Sequence, residues 1–208
     1  SLDRGDLKIS DFHLEQWRLM HIGAQPVPKK LIEDWKKYFP HHDYDTNYGL
    51  SESIGPGCVH LGVGNDHKIG AIGIPGYGWK VKIVDEHRKE VPQGEVGELA
   101  VFGPGVMVCY YKNPEATAEC MEDGYFKTGD YGYLKERRLY VTGRKKNLII
   151  LDNGKNVLPE MIEAKLSNLD WIKECIVTTR KVNDNRILVA LIYTEEAPEN
   201  IRADIDRI

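Results

Sequence analysis

The chain has 208 residues, 41% of them hydrophobic and 29% charged, with 28 basic against 32 acidic side chains and a formal net charge of −4. That length holds one large or two small domains with a buried core, and a near balance of charge without long runs of one sign excludes a non-specific nucleic-acid binder. Cys58, Cys109, Cys120 and Cys175 form no Cys-x-x-Cys pair and so signal neither a zinc site nor a disulfide framework, and no apolar run approaches the ~20 residues of a membrane span, so a cytoplasmic protein is expected.

Trp17 to Ile22 is a short apolar run that suits a buried strand. It ends at Gly23-Ala24-Gln25-Pro26, where small residues let backbone approach a ligand closely, and the loop after the carboxyl end of a strand is where α/β proteins usually bind one. Pro28 opens a helix with Leu31, Ile32, Trp35 and Tyr38 or Phe39 on one face, and Pro40 stops it. The following His41-His42 pair suits a solvated loop better than a metal site, since adjacent side chains point in different directions. Asn47 to Ser53 (Asn-Tyr-Gly-Leu-Ser-Glu-Ser) joins an aromatic, a glycine, hydroxyls and a carboxylate. Tyr48 suits stacking on a base, Ser51 a phosphate oxygen and Glu52 a magnesium ion; equally, the segment suits a polar turn with Ser51 or Ser53 as a cap.

Gly62-Val63-Gly64-Asn65 lacks the third glycine and the helix of a dinucleotide fingerprint and reads as a loop. From Ile69 to Tyr111 short alternating segments predict a small antiparallel sheet or barrel, with strands over Trp79–Val84 and Gly97–Gly103. Asn113 caps a short helix through Cys120 with Pro114 at its first position. Hairpins from Tyr125 to Gly143 then carry Tyr125-Phe126-Lys127-Thr128-Gly129-Asp130, and Arg144 follows Asp130 by fourteen residues. A carboxylate on a tight glycine turn can accept from both hydroxyls of a ribose, and an arginine offers a planar fork of donors to a phosphate. The same residues also suit a plain surface hairpin. Beyond Lys146, a buried strand over Leu148–Leu151, a turn over Asp152–Lys155, a helix from Pro159 carrying Ile162 and Leu166 and strands over Trp171–Thr179 and Ile187–Thr194 predict a separate small α+β domain, with the boundary at Arg144-Lys145-Lys146. Ala197 to Ile208 reads as an unfinished amphipathic helix, and Ser1 opens the chain without a signal peptide, so a piece of a longer protein is expected.

The order Gly-Ala-x-Pro, Asn-Tyr-Gly-x-Ser-Glu, Gly-Glu-Leu-x-x-x-Gly, Tyr-x-x-Thr-Gly-Asp and Gly-Arg-x-Lys, from Leu19 to Thr194, resembles the adenylate-forming superfamily of acyl-CoA synthetases, aryl-CoA ligases, adenylation domains and luciferases. The resemblance implies an α/β plus α+β fold: residues 1–145 as the end of a large AMP-binding domain, a strand-helix unit with a small β-barrel, and 146–208 as part of a mobile domain. Gly23 and Ala24 match the loop lining the adenine pocket, Asn47 the adenine edge, Tyr48 the stacking ring with Gly49 beside it, and Ser51 a phosphate contact where the family usually has Thr. Glu52 matches the magnesium ligand, Asp130 the ribose carboxylate, Arg144 the ribose and phosphate contact, Lys146 the hinge and Gly154 the coenzyme A channel.

The chemistry so implied needs ATP, Mg²⁺ and coenzyme A: a carboxylic acid is joined to AMP, then passed to a thiol. Leu148 to Glu160 is similar to the long-chain fatty acyl-CoA branch, since the Lys that many aryl-CoA ligases carry just before Gly154 is missing. Loading of a carrier protein, peripheral association with membranes and a non-catalytic interaction module are the alternatives that the resemblance leaves. His21-Ile22 replaces the usual pair before Gly23 and is expected to reshape the acyl pocket, and Cys109, where a Gly usually precedes Tyr110, is expected to be a small buried thiol. The Ser/Thr/Gly-rich phosphate loop and the late catalytic Lys of the family have no counterpart in these residues, so the chain by itself is expected to have no ligase activity and to bind nucleotide weakly at best.

Overall fold

A computed structural model describes residues 2, 4–23, 27–183 and 185–195. Ala24, with Gln25 and Pro26, lies outside the described residues, as does the amphipathic segment expected from Ala197.

The first layer is a four-stranded sheet. Strand β1 (Leu19–Ile22) pairs in parallel with β2 (Asp43–Leu50), Leu19 opposite Asp43 and Ile22 opposite Thr46. The crossover between them is α1 (Lys29–Tyr38), capped by Pro28 in extended conformation, as a parallel pair requires a long connection. Antiparallel β3 (Gly55–His60) and β4 (Ile74–Pro75) complete the sheet. Ile32 of α1, Tyr44, Leu61 and Ala71 close the core between helix and sheet. Two expectations are corrected here. Leu31 is half exposed, because only every third or fourth residue of a short helix faces the sheet. His42 is not in a solvated loop: its ring lies among Trp17, Phe39 and Trp35, at centroid separations of 5.0, 5.2 and 6.2 Å.

The second sheet is antiparallel throughout. It comprises β5 (Lys80–Val84), β6 (Gly97–Phe102), β7 (Met121–Glu122), β8 (Tyr125–Lys135) and β9 (Arg138–Arg144), in the order β5-β6-β8-β7 with β9 paired to β8. Helix α2 (Pro114–Cys120) precedes β7, with the Asn113 side chain accepting from the Ala116 N–H. Ile83, Leu99, Val101, Phe126 and Leu139 share one core with Val59 of β3, which joins the two sheets. Gly73 lies against the crossing chain, where an added Cβ would come within 1.7 Å of the His60 carbonyl oxygen. That close approach lets Gly73 bond Leu139 in β9.

The last part has its own core of Leu166, Trp171, Ile172 and Val177. It comprises the two-residue strands β10 (Ile149–Ile150) and β11 (Asn156–Val157), helix α3 (Pro159–Leu166) and the long hairpin β12 (Glu174–Val182) to β13 (Asn185–Tyr193). The strand expected from Trp171 begins only at Glu174, because Trp171 and Ile172 are buried in the preceding turn instead. Ile150 is 56% exposed, so Leu148–Leu151 is an edge pair rather than a buried strand. Among the described residues no helix is long and apolar enough to cross a membrane.

Candidate functional site

Thr128-Gly129-Asp130 is a bulge inside β8, not the hairpin turn read from the sequence. Opposite it, β6 has the single residue Leu99, flanked by the pairs Glu98 with Tyr131 and Ala100 with Lys127. Gly129 takes φ +73°, which costs a residue with a Cβ and not a glycine. The Thr128 hydroxyl donates to the Leu99 carbonyl at 3.0 Å and accepts from the Asp130 N–H at 3.1 Å, so it pins the bulge from within. The bulge turns the Asp130 side chain towards Tyr48 and Arg144. Its carboxylate is 8% exposed, accepts at Oδ1 from Arg144 Nε at 3.0 Å and at Oδ2 from the Tyr48 hydroxyl at 2.5 Å. Asp130 and Arg144 are register partners across β8 and β9, which explains why fourteen residues of sequence bring them into contact.

Asp130 and Arg144 line one cavity of about 420 Å³ together with Glu52, Tyr110, Thr128 and Lys145. Glu52 sits in a single 3-10 turn, Ser51–Ser53, at the end of β2. The Ser53 hydroxyl accepts from the Leu50 N–H and donates to its carbonyl, so Ser53 is the cap, while Ser51 is exposed. Gly49 lies where the β2–β3 register shifts by a bulge. Oε1 of Glu52 accepts from the Tyr110 hydroxyl at 2.9 Å. Burial, then that bond and the charge of Glu52, push the Tyr110 phenol up to about 12. Tyr110 thus remains a donor across the ordinary pH range.

Asn47 leaves β2 on the other side from Tyr48, as consecutive strand residues do, and meets β1. Its amide contacts His21 Nε2, and His21 Nδ1 contacts Asp45 Oδ2 at 3.2 Å. Asp45 Oδ1 accepts from the Gly62 N–H at 2.9 Å. An ionised Asp45 accepts only, so the imidazole proton belongs on Nδ1 and Nε2 accepts from the Asn47 amide. The Asn47 oxygen faces Gly23, where a Cβ would come within 3.1 Å of it. The His21 departure noted in the sequence is thereby tied to Asn47 through a hydrogen bond.

At the proposed boundary Lys145 opens a 3-10 turn, Lys145–Asn147, and its ammonium bonds Glu98 Oε2 of β6 at 2.8 Å. That bond raises the Lys145 pKa above its ordinary value, against the opposing effect of burial. From the other side Glu160 of α3 accepts from the Arg144 N–H and from the Asn147 amide. Lys146 is exposed, and Gly154, at φ +78°, faces open space. Cys109 is exposed, not the buried thiol expected, because its segment follows the surface before α2. Sequence reasoning gave no role to Tyr110, Glu98 or Lys145. Glu98 was visible inside the Gly-Glu-Leu motif, but nothing in the sequence says which cation it meets.

Among the described residues no group of three or more His, Cys, Asp or Glu forms a metal cluster. Glu52, on the cavity wall, offers one carboxylate of the kind that can hold magnesium together with a substrate's phosphates.

A family model described as AMP-binding enzyme matches residues 3–111. The long-chain-fatty-acid–CoA ligase of Salmonella typhimurium is 38% identical over 176 residues, which are 81% of this chain and 30% of that protein. Among solved structures, the amide bond synthetase McbA of Marinactinospora thermotolerans superposes with a TM-score of 0.78 at 26% identity, over 91% of this chain and 40% of that one. The O-succinylbenzoate coenzyme A synthetase MenE of Bacillus subtilis, in complex with ATP and magnesium ion, gives 0.75 at 27%, over 92% and 40%. The chain thus spans about a third of the length of the curated relatives it matches.

Proposed function

The chain belongs to the AMP-binding enzyme family, and on that premise we propose that it is part of an ATP-dependent, AMP-forming carboxylic acid–CoA ligase whose acid is a fatty acid. The observation that carries the reading is the Asp130 carboxylate, buried between Tyr48 and Arg144 at the wall of a cavity that also holds Glu52. A carboxylate that accepts at both oxygens suits the two hydroxyls of a ribose, and the half-exposed Arg144 guanidinium suits the phosphate beside it. Tyr48 takes the base on its ring, with Gly23 and Asn47 at the base edge and Gly49 giving room.

In the first half-reaction the acid's carboxylate oxygen attacks the α-phosphorus of ATP, and the bond to pyrophosphate breaks. In the second a thiol sulfur attacks the acyl carbon, and AMP leaves with the oxygen that joined it. Ser51 and Arg144 orient the α-phosphate, and the chain's contribution is chiefly positioning and charge neutralisation. A magnesium ion on Glu52 would neutralise phosphate charge.

Residues 146–208 form the second, mobile domain in this proposal, with Lys146 as the hinge and open Gly154 beside the path of the coenzyme A thiol. No counterpart of the family's phosphate loop or late catalytic Lys is read in these residues, so in this proposal the 208 residues alone do not turn over. The fatty acid is supported by the Salmonella relative's name. A cytoplasmic location, with peripheral contact to the membrane that supplies such acids, completes the proposal.

The test is ATP–pyrophosphate exchange by the longer protein containing this chain, across fatty, aryl and amino acids, with Glu52→Gln as control. Exchange with fatty acids that collapses in the variant supports the proposal. Exchange confined to aryl or amino acids replaces the substrate, and no exchange with any acid overturns the ligase reading. Competition between coenzyme A and carrier protein in the second half-reaction decides the acceptor.

A further inference from the structure

Glu52 has two carboxylate oxygens, and which of them is free decides what ion it suits. Oε1 is taken by the Tyr110 hydroxyl, 58 residues away in sequence. Both ends of this bond are held. The Glu52 carbonyl accepts from the Met107 N–H at 2.7 Å, which ties the turn of Glu52 to the segment leading to Tyr110. The Tyr110 N–H donates to the Thr117 hydroxyl at 3.0 Å, and its carbonyl accepts from the Asn113 N–H at 3.2 Å. Tyr110 is thus anchored on the first turn of α2, and the phenol approaches Glu52 from a fixed direction.

A cation meeting this carboxylate finds one oxygen already engaged. Magnesium takes six ligands in a near-ideal octahedron, keeps several waters and accepts a carboxylate through one oxygen; calcium takes six to eight and readily accepts both oxygens of one carboxylate. A hydrogen bond that occupies the second oxygen therefore favours the smaller ion, and bonds of this outer kind commonly change metal affinity by about 10–100-fold.

We propose that Tyr110 is a positioning residue that keeps Glu52 a one-oxygen ligand and so sets a preference for magnesium over calcium. This rests on Glu52 as the metal ligand, proposed above. In this proposal Tyr110 acts on the ion through the Glu52 carboxylate.

The experiment is binding of Mn²⁺ to the longer protein containing this chain in the presence of ATP, followed by electron paramagnetic resonance, with displacement by Mg²⁺ and by Ca²⁺. Circular dichroism checks that each variant is folded. That protein is expected to bind Mn²⁺ at a site lost in Glu52→Gln, and to prefer Mg²⁺ over Ca²⁺ as the displacing ion. In Tyr110→Phe, which keeps the ring, Mg²⁺ affinity should fall about tenfold and Ca²⁺ affinity less, so that the preference shrinks or reverses. Thr117→Val, which leaves the phenol in place but releases its anchor, should move the preference the same way by a smaller factor. Mn²⁺ binding that survives Glu52→Gln overturns the assignment of Glu52 and the inference with it. A site lost in Glu52→Gln but with an unchanged Mg²⁺/Ca²⁺ preference in a folded Tyr110→Phe, or in Thr117→Val if the first variant unfolds, overturns the role of Tyr110 alone.

Discussion

The Tyr48 hydroxyl donates to Asp130 Oδ2 at 2.5 Å, on the oxygen that Arg144 Nε, at 3.0 Å from Oδ1, leaves free. Both oxygens are therefore engaged by the chain itself, and a ribose hydroxyl that takes Oδ2 replaces the phenol there.

That exchange makes two variants informative. Tyr48→Phe removes the competing donor and keeps a ring for stacking, so AMP affinity should stay within about threefold or rise. Asp130→Asn replaces one acceptor by a donor, and AMP affinity should fall about tenfold. Calorimetric titration of the longer protein containing this chain with AMP reads both; a large loss in Tyr48→Phe with none in Asp130→Asn would remove the ribose from this carboxylate.

Tyr110 gives a pH signature. Its phenol is held up at about 12 by burial and by Glu52, against an ordinary value of 10.0. Below pH ~10 both folded and unfolded states keep the proton and the contribution to stability is complete. As pH rises from ~10 towards ~12 the unfolded state loses the proton first, so stability falls through that window. Urea unfolding between pH 9 and pH ~12 should show a steeper loss in the parent than in Tyr110→Phe.

Lys145 is pinned to Glu98, whose side chain is 11% exposed, while Lys146 beside it is open to solvent. Glu98→Gln weakens the pin by removing the charge. Trypsin should then cut after Lys145 or Lys146 a few times faster, with little change at other lysines. Equal rates in the two chains would mean that the ion pair, half-screened by solvent on the lysine side, does not hold this turn.

The join between the two sheets is the most sensitive part of the large core. Leu139 is fully buried there, and its backbone N–H and carbonyl bond Gly73 and Ile72. Leu139→Ala should cost about 2–5 kcal/mol. Gly73→Ala forces its Cβ onto the His60 carbonyl and should cost at least about 3 kcal/mol, beyond the usual overpacking penalty. Denaturant unfolding checks both, and a small cost at Gly73 would show that the crossing chain can move aside.

By itself the sequence determined much of the succession of elements and named the candidate site residues. Period-two runs placed β5 and β6, Asn113 and Pro114 placed the start of α2, and Tyr48, Glu52, Asp130 and Arg144 stood out as residue types suited to a nucleotide. These features are local, because strand period, capping and side-chain chemistry are written in a few neighbouring residues. What only the tertiary structure decided depends on distant residues meeting. Asp130 read as a turn residue, since Thr-Gly-Asp looks the same in a turn and in a bulge, and pairing of β8 with β6 on either side of Leu99 selects the bulge. His42 read as solvated, and its partial burial comes from Trp17, just before β1, and Trp35 of α1 meeting beside it. Tyr110 on Glu52 and Lys145 on Glu98 are contacts over 58 and 47 residues, and no short-range pattern encodes pairings that exist only once distant segments have folded together.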